Sequence, residues 1–143
     1  MKFPALTALV LAVPVTALAE GAVVTPFDGS YEDATFALES AIVGQGLVID
    51  YISHVGEMLS RTAADVGSDR VLFKNADVFV FCSAVVSREV MEADPMNIAF
   101  CPYGIFVAET EDGVMFGRQD YPAGALDKVE AMLDAIIAEA VEG

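Results

Sequence analysis

The chain has 143 residues, with 22 acidic and 7 basic side chains, a formal net charge of −15 and two cysteines. This charge repels phosphate backbones and anionic lipid headgroups, so we expect no nucleic-acid binding and no peripheral membrane binding. It suits an exported protein that remains soluble, or one that attracts cations or a basic protein partner. Two cysteines do not make a disulfide-dense miniprotein, so stability must come mainly from buried apolar area.

The N-terminal segment predicts a secretory signal peptide over residues 1–19. Lys2 precedes an apolar run from Ala5 to Thr16, and Ala17-Leu18-Ala19 matches an A-x-A cleavage site. The apolar run is shorter than the roughly 20 residues that span a bilayer as a helix. We therefore expect a periplasmic or secreted protein that has no membrane contact after cleavage. The remaining residues, 20–143, have the length of one domain.

Periodicity and turn residues predict strands and helices along the whole of this domain. In chain order they are a strand at 21–27, a helix at 30–44, a strand at 47–53, a helix from Val55 to Gly67, strands at 70–73 and 77–82, a helix at 84–93, strands at 98–109 and 114–119, and a helix at 124–141. Pro26 places the first strand at a sheet edge, because proline cannot donate to a sheet ladder. Ser30 is the predicted N-cap of the first helix.

The closing helix is the clearest element. Its apolar residues recur at helical spacing: Leu126, Val129, Met132, Leu133, Ile136, Ile137 and Ala140. Strands and helices alternate at first, and the chain then ends in a hairpin and this amphipathic helix. The pattern predicts an α+β fold with a mixed or antiparallel sheet and helices packed mainly on one face.

The candidate site residues lie at two predicted strand–helix junctions. His54 follows the strand at 47–53, and Cys82 ends the strand at 77–82. Two successive βα units would make these strands parallel, so that both junctions lie on one edge of the sheet, where ligands of open α/β sheets bind. Met58 lies one helical turn after His54 on the same face. Cys101 enters a strand, so we expect it near the opposite edge.

A thiolate, an imidazole and a thioether together are a soft ligand set, suited to copper(I) or haem iron. His54, Met58 and Cys82 would supply it, and Cys101 could approach from the far end of the third helix. A helix N-terminus would lower the pKa of the Cys82 thiol. This arrangement predicts a non-catalytic binding or accessory protein with an unknown ligand, which is a metal, a haem, a small molecule or a partner protein.

Other interpretations of the same residues remain open. Cys82 as nucleophile and His54 as base would make a thiol-dependent enzyme or a redox protein. Cys82 and Cys101 could instead form a structural disulfide, which requires their Cα atoms to lie within about 7 Å. His54 could simply cap the second helix. The sequence contains no Cys-x-x-Cys, no second histidine and no Gly-rich phosphate loop.

Three segments carry a resemblance to a known family. They are Ile52-Ser53-His54-Val55, Phe81-Cys82-Ser83 and the run from Cys101 to Val107 that leads into a hairpin. With the order of elements, they resemble the domain-of-unknown-function 302 family over about residues 30–122, and especially its exported proteobacterial branch with two cysteines. The resemblance implies a compact α+β domain that is often a homodimer, and it implies no activity.

Overall fold

The computed structural model describes residues 21–143, so the predicted signal peptide lies outside the described residues. Within that range, the strands are β1 (Ala22–Phe27), β2 (Val48–Ser53), β3 (Asn75–Cys82), β4 (Tyr103–Thr110) and β5 (Gly113–Gln119). The α-helices are α1 (Tyr31–Gly44), α2 (Val55–Thr62), α3 (Ala84–Ala93) and α4 (Asp127–Glu142). Short 3₁₀ helices at Ala64–Val66 and Pro95–Phe100 follow α2 and α3. None of the helices in residues 21–143 has both the length and the apolar character needed to cross a membrane.

The strands form one sheet in the order β1-β5-β4-β3-β2, and every neighbouring pair is antiparallel. The predicted α+β class is therefore confirmed, with the antiparallel alternative realised. β1 contains Pro26 and lies at an edge, where it pairs only with β5. This position fits the missing N–H of proline, because the outer side of an edge strand has no ladder bond to make.

Local capping sets the helix boundaries much as expected. The Ser30 hydroxyl accepts a hydrogen bond from the Asp33 backbone N–H at 3.0 Å, and α1 begins at the next residue. The Ser83 hydroxyl caps α3 in the same way, with the Val86 N–H at 3.3 Å. Each cap satisfies a backbone donor that the first helical turn leaves unpaired.

Helices α1 and α4 cover one face of the sheet and enclose the core. The predicted α4 stripe is buried, with Leu126, Val129, Leu133, Ile136 and Ile137 all at most 4% exposed. These side chains pack in one cluster with sheet residues such as Phe79, Ile105 and Phe116. The expected docking of the C-terminal helix is therefore confirmed.

The relative direction of β2 and β3 differs from the expectation. They are antiparallel, with Ser53 opposite Val78 and Val48 opposite Cys82. The helix between them has only 8 residues and remains at the end of the sheet where β2 stops. Gly56 permits this, because a Cβ there would come within 2.6 Å of the Ala76 backbone nitrogen. The chain thus enters β3 beside the exit of β2 and makes no parallel crossover.

Two further segments also differ from the sequence prediction. Residues 70–73 form no strand, and Val71 is 85% exposed. The segment at 98–102 is not part of a strand either, because a 3₁₀ helix runs from Pro95 to Phe100 and β4 starts only at Tyr103. The Asp94 carboxylate caps that 3₁₀ helix through the Met96 N–H at 2.9 Å, which favours a tight turn over a strand.

The sheet face opposite α1 and α4, here called the open face, carries apolar side chains from several strands. Val24, Tyr51, Val78, Val80 and Phe106 lie on it. The Phe106 ring crosses the neighbouring strand over a glycine, Gly117, where a Cβ would come within 2.1 Å of the ring. Val24 and Tyr51 are each more than half exposed.

Candidate functional site

The two cysteines lie side by side. The Cys82 and Cys101 sulfurs are 3.0 Å apart, and both residues are free thiols and partly buried. Cys101 was expected near the opposite edge, and that expectation is wrong. β3 and β4 are antiparallel neighbours with Phe81 opposite Tyr103, so the end of β3 adjoins the start of β4. The connection through α3 therefore begins and ends at the same end of the sheet.

The environment of the pair favours protonated thiols. Burial raises the pKa of Cys82 to about 11, with the hydrogen bond to Cys101 and the nearby Asp50 charge as further causes. The helix N-terminus was expected to lower this pKa, and that expectation is wrong because desolvation outweighs it. On the other side of Cys101, the Ser87 hydroxyl lies 3.9 Å from its sulfur and donates to the Tyr103 hydroxyl at 3.2 Å. A thiol in this setting is a weak nucleophile at neutral pH.

His54 lies at the opposite end of β3 from Cys82. Its Nδ1 contacts the Asp77 carboxylate at 2.7 Å, while Cys82 is five residues further along the strand. At about 3.3 Å per residue, these two sites are roughly 16 Å apart. The expectation that His54 and Cys82 lie at the same end of the sheet is therefore wrong, because it assumed that β2 and β3 are parallel. The predicted catalytic pair of Cys82 and His54 is therefore separated. The predicted metal ligands His54, Met58, Cys82 and Cys101 are likewise split between the two ends of β3.

Met58 lies one helical turn after His54, as predicted, and its backbone N–H donates to the His54 carbonyl at 3.1 Å. It lies on α2, 41% exposed, with its sulfur 3.9 Å from the Thr62 hydroxyl. Among residues 21–143, no three His, Cys, Asp or Glu side chains are placed to share a metal ion. The soft-ligand set predicted for copper or haem is thus divided, with the two cysteine sulfurs at one end of β3 and His54 and Met58 at the other.

The carboxylate beside His54 orients its imidazole. His54 occupies the N-cap position of α2, as the capping interpretation requires, but its side chain makes no capping hydrogen bond. Asp77 lies on the helix-covered side of β3, with its side chain 19% exposed, while the His54 side chain is 59% exposed. With neutral imidazole, Nδ1–H donates to Asp77 and Nε2 is left as a free acceptor. Carboxylate–histidine pairs of this kind fix the ring in metal sites and active sites.

A cleft of about 430 Å³ opens beside this pair. The side chains that line it include Tyr31, Glu57, Ser60, Arg61 and Lys74. They come from the start of α1, from α2 and from the segment that enters β3. Cationic, anionic and hydroxyl groups therefore converge on one cavity, which we call the His54 cleft.

Tyr31 closes the inner wall of the His54 cleft. Its hydroxyl is buried and has no hydrogen-bond partner of acceptable geometry. Burial, followed by the neighbouring Asp77, raises the pKa of Tyr31 well above its ordinary value. The phenol is thus a neutral donor next to the carboxylate that orients His54, and a small rotation would bring it onto Asp77.

Sequence reasoning found His54 but missed its partner Asp77 and the cleft residues Tyr31, Arg61 and Lys74. The available signal was Asp77, an acidic residue directly before the apolar run Val78-Phe79-Val80-Phe81. An antiparallel hairpin-like return of β3 beside β2 would have placed it next to His54. The assumption of parallel strands concealed this contact.

Comparisons with known proteins agree with the fold. A family model described as "Domain of unknown function DUF302" matches residues 23–140. The structure is similar to the "Crystal structure of uncharacterized conserved protein DUF302 from Bacillus stearothermophilus", with a TM-score of 0.68 and 15% identity over 83% of this chain and 97% of that chain. At this identity the likeness shows the fold alone. No curated protein matches the chain. The chain belongs to the DUF302 family.

Proposed function

We propose that this protein is a periplasmic or secreted, non-catalytic binding or accessory protein, and that a small polar ligand occupies the His54 cleft. The observation that carries the proposal is the 2.7 Å contact between His54 Nδ1 and Asp77 at the wall of this cleft. An oriented imidazole on a partly exposed wall is prepared to bind a ligand without rearrangement, which lowers the entropic cost of binding.

The dimensions and the polarity of the cleft support this proposal. Its volume of about 430 Å³ lies within the usual range for small-molecule sites. Donors from Ser60 and Arg61 and acceptors from Glu57 and His54 face the same space. The cleft brings no Ser or Cys nucleophile within hydrogen-bonding distance of His54, which favours binding over covalent catalysis.

Equilibrium dialysis against a small-molecule extract, followed by mass spectrometry, tests the binding function directly. We expect the wild-type protein to enrich at least one small compound, and we expect Ser60→Trp, which fills the cleft, to abolish that enrichment. Ser40→Trp introduces the same side chain at an exposed position of α1 that lies outside the His54 cleft, and it is the matched control. Absence of any enriched compound, or equal enrichment by Ser60→Trp, would contradict the proposal.

A thiol redox function is the second candidate, favoured by the 3.0 Å approach of the Cys82 and Cys101 sulfurs. It no longer includes His54, and the raised pKa of Cys82 argues against a fast nucleophile. Titration with a thiol reagent at neutral pH distinguishes the two: one rapidly reacting thiol would favour redox catalysis. Two slow thiols, or none after oxidation, would favour a structural pair beside a binding cleft.

A further inference from the structure

The basic side chains divide into two groups. Most cations are in ion pairs: Arg88 lies 3.3 Å from Glu92, and Lys128 contacts Glu89. Arg61 and Arg70 take part in none of the ion pairs among residues 21–143. Arg118 is held by Asp134 at 2.6 Å and by Glu130 at 2.7 Å. Pairing of this kind is expected in a chain with 22 acidic residues, because every cation meets a carboxylate easily. The exceptions lie on α2 and on the segment before β3.

Arg61 is the exception that faces the His54 cleft. It takes part in none of the ion pairs found among residues 21–143. Glu57, one helical turn earlier and on the same cleft, is in none of them either. Lys74 is held only at 3.9 Å by Glu109. A cation and an anion that are in none of these ion pairs therefore line one cavity, one helical turn apart on α2.

We propose that the His54 cleft binds a small organic carboxylate that also carries a hydroxyl or ammonium group, such as a hydroxy acid or an amino acid. This inference rests on the proposed binding function and names its ligand class. The Arg61 guanidinium takes the carboxylate through two parallel hydrogen bonds, which its planar fork favours. Glu57 accepts from the hydroxyl or ammonium group, and so does the Nε2 atom of His54 when the ring is neutral with its proton on Nδ1, since both residues line the same cleft.

The charge around the cleft favours such a ligand over inorganic phosphate. The charged and titratable groups that face His54 from each adjoining element are Tyr31 of α1, Glu57 and Arg61 of α2, Lys74 before β3, and Asp77 of β3. Two of these are carboxylates and two are cations, and Glu109 adds a third carboxylate 3.9 Å from Lys74, so the local balance is about one negative charge with a neutral imidazole. A dianion would meet Glu57 and Asp77 as well as the overall charge of −15. A ligand with separated carboxylate and donor ends matches both signs.

The test uses the imidazole as its own reporter, because the chain contains 1 histidine. The ring resonances of His54 are followed by NMR while L-lactate, L-alanine, propionate or inorganic phosphate is added. Propionate has the carbon skeleton of the first two without the hydroxyl or ammonium group. We expect saturable shifts with L-lactate or L-alanine, and about tenfold weaker binding of propionate and of phosphate, because hydrogen bonds to charged groups are lost.

Variants assign the two ends of the ligand. Arg61→Gln should weaken binding about tenfold or more, and Arg61→Lys should lose part of it because the bidentate fork is gone. Glu57→Gln should remove most of the preference for L-alanine over propionate. Arg88→Gln removes the same charge from an exposed pair on α3 and should leave binding unchanged. Circular dichroism confirms that each exposed-residue variant is folded.

Each remaining outcome counts against the ligand class. It is overturned if neither L-lactate nor L-alanine shifts His54 at tens of millimolar, if Arg88→Gln weakens binding as much as Arg61→Gln does, or if phosphate binds as tightly as the best carboxylate. These failures are distinct from failure of the binding function. If dialysis still enriches another compound and Ser60→Trp abolishes it, the cleft binds a different class; if nothing is enriched, the binding function fails as well.

Discussion

We expect Cys82 and Cys101 to oxidise to a disulfide when the protein reaches an oxidising compartment. Their sulfurs are already 3.0 Å apart at the adjoining ends of β3 and β4. The reaction needs a disulfide oxidant. The sulfur–sulfur bond of the oxidant breaks and one forms between Cys82 and Cys101, so the two cysteines lose two hydrogens and the oxidant is released as two thiols. The bond would close the loop that contains α3 and the following 3₁₀ helix.

The magnitude follows from the size of that loop. The two cysteines are 19 positions apart. On the chain-entropy account, a cross-link closing a loop of this length restricts the unfolded chain enough to stabilise the fold by about 3 kcal/mol at 25 °C. For a domain of this size, each kcal/mol raises the melting temperature by about 4 °C, so oxidation should raise it by about 12 °C.

Thermal unfolding with and without a phosphine reductant measures this difference, and intact mass reports the loss of two hydrogens. The Cys82→Ser/Cys101→Ser double variant is the control and should melt at the same temperature in both buffers. The reasoning is refuted if the wild-type protein is oxidised by mass and yet melts at the same temperature after reduction. It is equally refuted if a disulfide oxidant leaves both thiols free.

The reduced form also has a distinct pH dependence. The pKa of Cys82 is raised from 9.0 to about 11 in the folded protein. A raised folded pKa contributes stability that is complete below the unfolded value and is lost as the pH rises through the folded value. Reduced wild-type protein should therefore lose more stability between about pH 9 and 11 than Cys82→Ser does, as followed by chemical denaturation. Identical losses would show that Cys82 is not desolvated.

Three further predictions concern the core, the assembly and the export of the chain. Leu133→Asp buries a charge under the sheet and should destabilise the domain by about 4 kcal/mol or more. Ala135→Asp, on the exposed side of α4, should have little effect. Equal melting temperatures for the two variants would contradict docking of α4. We expect a homodimer that uses the open face, with Tyr51→Glu shifting it towards monomer, and light scattering that returns a monomer mass at tens of micromolar would refute this. Mass spectrometry of the intact exported protein should give the mass of a chain that begins at Glu20, and a mass that includes residues 1–19 would disprove cleavage after Ala19.

Local signals in the sequence were sufficient for most elements. The sequence signals for the Ser30 cap, the Pro26 edge strand and the Leu133 stripe each lie within a few residues along the chain, although β1 and α4 then pack against distant segments. Hydrogen bonds from a cap reach three residues, and helical periodicity repeats within one or two turns. The class of fold follows from the order of such elements, so it could be predicted without knowledge of any long-range contact.

The direction of β2 relative to β3 is a different kind of property. Side-chain alternation identifies a strand and its buried face, but it is the same in parallel and antiparallel pairs. Whether the pair is parallel or antiparallel depends on where the connecting segment leads the chain. Here the connection contains an 8-residue helix that can lie close to β3 because Gly56 has no side chain. Nothing in the local pattern of residues 47–82 specifies that packing.

The candidate sites depend on this choice. Antiparallel pairing separated His54 from Cys82, brought Cys101 to within 3.0 Å of Cys82, and placed Asp77 at 2.7 Å from His54. The sequence determined which residues could do chemistry and which elements carry them. Only the tertiary structure decided which of them meet, because contacts between residues 19 and 23 positions apart are fixed by strand direction and by the packing of the connecting helices.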